Sequence, residues 1–174
     1  QYLVNSLFEI MFDERLSELA EKKSCPYMQA GAGYGGFLAR PVAAYQMYVV
    51  AKEGKVMEAL EAMMLENRRL QQHGFLQTEL DRAKESLLER FERAAKEESK
   101  TESSRIAAEL VDYFLENTPM PGAIIENKWA KAMMDAITLE EVNALIGKWM
   151  TEENFICTIS MPEKKGVKVP TEDK

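Results

Sequence analysis

Few residues of this 174-residue sequence have the type and spacing that chemistry requires. His73 is the single histidine. A zinc enzyme needs several ligands, usually two or three of them His, and a Ser or Cys nucleophile needs a base within reach. His73 precedes Gly74 at what reads as a helix C-terminus, where a positive charge is mildly favoured. The expectation is a surface residue, with no triad formed with Cys25 or a serine. Cys25 and Cys157 are too few for a disulfide framework and lack metal-site spacing. They read as two free thiols behaving as small buried apolar residues. Gly31-Ala-Gly33-Tyr-Gly35-Gly36 satisfies G-x-G-x-x-G, the pattern that seats a dinucleotide pyrophosphate on a helix N-terminus. Here Phe37-Leu-Ala-Arg-Pro41 and a strand-like run follow instead of a helix. The pattern therefore predicts a glycine-rich strand or bulge whose backbone passes close to a neighbour. Residues 89–100 alternate in sign and read as a solvated helix face. No catalytic, cofactor or metal site can be assembled from these residues.

The elements that would position a site are clearer. Leu3, Leu7, Ile10, Met11 and Leu16 predict an amphipathic helix over about residues 3–22, stopped by Pro26. Residues 27–34 and 42–51 read as an antiparallel pair of strands, the second covered on both sides or nearly so. Helical spacing returns at Val56, Leu60, Met63, Met64 and Leu70, then at Leu80, Ala83, Leu87, Phe91 and Ala94. Between these stripes, Gly74 suits a helix C-cap and Thr78 an N-cap, with Asp81 three residues on. A third stripe is Ile106, Leu110, Val111 and Phe114, and a fourth is Ile125, Trp129, Met133 and Ala136. Thr138 and Glu141 form a capping box before Val142, Leu145, Ile146 and Trp149. The methionine pairs at 63–64 and 133–134 and both tryptophans read as core. Phe155, Cys157, Ile159 and Met161 alternate as in a half-buried strand.

Helix, two strands, a run of helices and one strand predict an α+β fold, a small antiparallel sheet with several helices packed on one face. A single domain is expected over residues 1–161, with a tail or interdomain linker over 162–174. Three strands are few for so many helices, so the domain reads as a fragment truncated on its N-terminal side, or as one whose sheet edge another chain completes. The formal charge of −7 argues against nucleic acid and anionic membrane as partners. No apolar run approaches the roughly 18–20 residues that span a bilayer.

Four stretches in order resemble the insulinase/pitrilysin-type (inverzincin) zinc metallopeptidases over roughly residues 3–169. They are Leu7-Phe-Glu-Ile-Met-Phe-Asp-Glu-Arg-Leu-Ser-Glu-Leu19 with Pro26-Tyr27; Ala59-Leu60 through Glu66, Gly74-Phe75 and Glu79-Leu-Asp-Arg-Ala-Lys84; Ile137-Thr-Leu-Glu-Glu-Val-Asn143; and residues 154–160 with Pro162. The chain looks most like the non-catalytic second domain of the first half in large bacterial members. The resemblance implies two halves closing around a chamber that holds a peptide substrate. It also implies zinc in the parent protein, held elsewhere by H-x-x-E-H, a motif this sequence lacks. Some members bind substrate through an arginine and a tyrosine in the region resembling 15–27. Tyr27 matches and is a possible chamber-facing contact, whereas Ala20 stands where the arginine would.

The function so implied is structural: a chamber-forming domain of a zinc-dependent metalloendopeptidase that degrades peptides or unfolded protein. Its partners would be the remaining domains of the parent and the peptide, with possible self-association of the fragment, and the expected location is the periplasm. The chain alone is expected to be inactive and zinc-free. The alternatives are an inactive scaffold subunit of the same fold, or a standalone protein-binding module.

Overall fold

A computed structural model describes residues 1–151 and 153–162, without the side chains of residues 40 and 41. Residues 163–174, most of the expected tail, lie outside the described residues. The chain is α+β, with six α-helices and one two-stranded antiparallel sheet among the described residues. In chain order the elements are α1 (Tyr2–Ala20), β1 (Tyr27–Phe37), β2 (Ala39–Ala51), α2 (Val56–His73), α3 (Gln77–Lys96), α4 (Ser103–Glu116), α5 (Ala123–Met133) and α6 (Leu139–Trp149).

α1 is the centre of the fold. Leu7, Phe8, Met11, Phe12 and Leu16 are all fully buried. They cover more of the helix circumference than one stripe, because α1 packs on β1, α3 and α6 together. Phe8 is the hub: its ring meets those of Trp149 at 4.9 Å, Phe75 at 5.3 Å, Tyr45 at 6.2 Å and Phe12 at 6.3 Å, all edge to face. Edge-to-face contacts suit the aromatic quadrupole and add to the burial of apolar area.

The hairpin pairs Ala30 with Val49, Ala32 with Met47 and Tyr34 with Tyr45 on the helix side. Trp149 of α6 stacks on Tyr34 at 4.8 Å with the rings 5° from parallel. The alternate pairs, Gln29 with Val50, Gly31 with Tyr48 and Gly33 with Gln46, face the other way, and Tyr48 and Val50 are exposed there. The helices thus cover one face of the sheet only. This corrects the expectation that residues 42–51 are covered on both sides, since apolar residues on both faces of a strand do not by themselves supply a second layer.

Four further expectations are revised. Residues 155–161 form no strand, and Phe155 and Ile156 are exposed. A strand exists only as one half of a ladder, and the segment pairs with neither β1 nor β2. The stripes of α4 and α5 are helical but lie on the surface: Phe114 is 84% exposed and Trp129 49%. Of the pairs expected in the core, Met63, Met134 and Trp149 are buried, whereas Met64, Met133 and Trp129 are exposed. Cys25 is buried as expected, Cys157 is exposed, and both are free thiols.

Candidate functional site

The turn between α2 and α3 is held from two sides. Gly74 ends α2 with φ 67°, and a Cβ there would approach the Asn143 side chain to 3.0 Å. Positive φ and close approach both call for glycine. α3 starts at Gln77, so Thr78 lies inside the helix. The expected Thr78 cap is replaced by Glu79, whose carboxylate accepts from the Leu76 amide at 2.6 Å. Glu79 can serve because Arg15 of α1 binds it through both Nε and Nη2, the latter at 2.7 Å, and also donates to the Gly74 carbonyl at 2.9 Å. The same guanidinium lies 4.9 Å from the centre of the Phe75 ring. Burial opposes the charge on Glu79, but the bond from Arg15, the Leu76 amide and the charges of Arg15 and Arg82 outweigh it. They hold the carboxyl below its ordinary range. On the far side Asn143 of α6 accepts from the Phe75 amide at 2.8 Å and donates to the Phe75 carbonyl at 3.4 Å. The resemblance-bearing stretch is therefore a structural clasp. His73 lies exposed at the end of α2, as expected, and takes no part in it.

Tyr27, read as a possible substrate contact, has another task here. Its ring is 1% exposed, and its hydroxyl donates to the Leu16 carbonyl at 3.1 Å, pinning the start of β1 to α1. Burial, with Cys25 close by, pushes the phenol well above its ordinary value, so it stays protonated. In this arrangement the ring offers a peptide no surface.

The surface that could meet a ligand is the open face of the hairpin. Gln29 donates to the Tyr48 hydroxyl at 3.1 Å, and the Tyr48 ring lies over Gly31 so closely that a Cβ there would come within 2.6 Å. The glycine pattern at 31–36 is thus part of a strand whose backbone passes close to a neighbour at Gly31, as its context predicts. Gln46 donates to the Gly36 carbonyl at 3.3 Å. The face has amide side chains, an anchored aromatic ring and an exposed Val50. Such a face can take apolar side chains and hydrogen-bond a main chain, but it holds no nucleophile–base pair. Among the described residues no group of three or more His, Cys, Asp or Glu is placed to hold a metal, so the donor set of a zinc site is not met there. No helix among the described residues is long and apolar enough to cross a membrane.

Two features escape a sequence reading: the task of Arg15, whose partners lie 59 and 64 residues away, and the open face of β2. A basic residue among the apolar positions of α1 is the sole local sign of the first.

The architecture falls in a known class of fold, that of the first half of insulinase-like proteases. It matches part of the first half of the periplasmic protease PqqL from Escherichia coli with a TM-score of 0.72 at 21% identity, over 82% of this chain and 31% of that one. The longer PqqL structure matches with a TM-score of 0.74 at 21% identity, over 83% of this chain and 16% of that chain. A predicted insulinase family protease from Yersinia pestis matches with a TM-score of 0.69 at 13% identity, over 84% and 32%. The chain thus spans about a third of the first-half structure and a sixth of the longer one. No family model and no curated protein sequence matches it.

Proposed function

We propose that this chain is a structural, chamber-forming domain of a zinc-dependent metalloendopeptidase that degrades peptides or unfolded protein, with the catalytic zinc outside residues 1–174. The observation that carries this reading is the fold shared over 82% of the chain with less than a third of a protease half. A unit that is one part of a larger body should leave apolar surface for its neighbours. The exposed stripes of α4 and α5, with Ile106, Leu110, Phe114, Ile125 and Trp129, fit that role. We assign them to contacts with the remaining domains, and the open face of β1 and β2 to the chamber. Residues 1–161 then act as one domain, and 162–174 as its linker. The periplasm is the proposed compartment, by analogy with PqqL.

The test uses both the whole polypeptide that contains this chain and the chain alone. The whole protein should bind zinc and cleave an unfolded peptide, while the chain alone should do neither. Tight one-to-one zinc binding by the chain alone, measured by calorimetry, would overturn the assignment. A zinc-free, inactive whole protein would turn it into a scaffold subunit of the same fold.

A further inference from the structure

Glu9 and Asp13 lie one turn apart on α1 and reach the outer margin of β1. Asp13 accepts a hydrogen bond from the Ala32 amide at 3.0 Å, and Glu9 accepts one from the Tyr34 amide at 3.2 Å. Alternate residues of a strand send their amides to the same margin, so these are the donors that a further strand would need. They point away from β2 and are already engaged. Gly33 between them makes room: a Cβ there would lie 3.0 Å from the Glu9 carboxylate. The arrangement is electrostatically costly. Burial raises both carboxyls above their ordinary values, against the amide bonds that lower them. Asp13 raises Glu9 further, and Arg90 of α3 partly offsets the effect at Asp13. Amide or hydroxyl side chains would satisfy the same two N–H groups at less cost. A carboxylate adds something they do not: it has no donor, and it repels the carbonyls of an arriving strand.

We propose that Glu9 and Asp13 guard the outer edge of β1, preventing a second copy of this chain from extending the sheet there. A strand edge with free amides is a template for pairing, and inward-pointing charge under a covering helix is one way to close it. The sheet then has one protected margin, and any further strand must enter beside β2.

Amide hydrogen exchange and sedimentation velocity test this on the chain, on Glu9→Ala/Asp13→Ala and on Glu9→Gln/Asp13→Asn. In the unsubstituted chain at low concentration the amides of Ala32 and Tyr34 should be protected, although no strand among the described residues lies against them. The alanine pair should lose about tenfold or more of that protection. It should also self-associate at lower concentration than the parent, with protection at both amides returning as it does. The amide pair, whose side-chain oxygens still accept, should keep the protection. Unprotected amides in the unsubstituted chain would overturn the proposal, and that measurement needs no variant to fold. A folded alanine pair that sediments as the parent does at every concentration would overturn it too.

Discussion

Replacing Arg15 tests the clasp most directly. Arg15→Met keeps much of the aliphatic stem against Phe75 and removes the guanidinium. Glu79, about nine-tenths buried, then keeps only the Leu76 amide as a close partner, and the Gly74 carbonyl loses its donor. Breaking a fully buried ion pair costs about 3–5 kcal/mol, and a lost hydrogen bond about 1 kcal/mol. Arg15 retains a fifth of its side-chain exposure, so water recovers part of the loss. The expected cost is about 2–4 kcal/mol, which for a chain of this size lowers Tm by roughly 4–16 °C. The pH dependence gives a second readout. Glu79 has a folded-state pKa below its unfolded value. Its contribution is therefore fully present above the ordinary carboxylate range and is lost as pH falls through the depressed value. Urea unfolding followed by circular dichroism from pH 7 down to pH 3 should show the parent losing its advantage over Arg15→Met across that interval. A double-mutant cycle with Glu79→Gln isolates the pair. A cost below about 0.5 kcal/mol for Arg15→Met, or a coupling energy near zero, would refute the clasp.

Glu9 and Asp13 should behave in the opposite sense. Their folded-state pKa values are raised, so their contribution is greatest below the unfolded values and falls as pH rises through the folded ones. Glu9→Gln should therefore match or exceed the parent in stability at pH 7 and lose that gain near pH 4, as the same urea titrations would show. Gly74→Ala must hold positive φ and meet Asn143, with an expected cost of about 1–3 kcal/mol by thermal melting. Phe8→Ala empties the aromatic hub and should cost about 3–5 kcal/mol, a large fraction of a typical domain's stability, read by urea unfolding. Phe114→Ala, on an exposed face, should stay within about 0.5 kcal/mol in the chain alone. If α4 meets other domains in the whole protein, the same change should weaken that association by pull-down.

Periodicity located all six helices, because a 3.6-residue repeat of apolar residues survives in any context. It could not show which repeats are buried. Leu80 and Phe114 look alike in sequence, yet one is core and the other surface, since burial depends on a partner that no local pattern names. The Thr138–Glu141 box was legible because both halves lie within one turn, and the structure shows both bonds. α3 starts two residues before the point a Thr78 cap predicts, because its acceptor, Glu79, is set by Arg15 from another helix. The polar positions Glu9 and Asp13 looked like the solvent side of α1. Only the placement of β1 shows that they face backbone. Alternation at 155–161 is a strand-like pattern without a strand, because neither β1 nor β2 pairs with it.

The clasp also has a consequence for the order of events during synthesis. The turn at Phe75 is bonded to Arg15, which precedes it, and to Asn143, which emerges 68 residues later. At about 5–20 residues per second, a ribosome needs roughly 3–14 s to cover that distance. For those seconds α1, the hairpin, α2 and α3 can gather around Phe8, while the buried amide of Phe75 lacks its acceptor and Trp149 has yet to appear. A nascent chain stalled before residue 143 should therefore expose an aromatic cluster, to which chaperones would bind. Release should come once α6 has emerged.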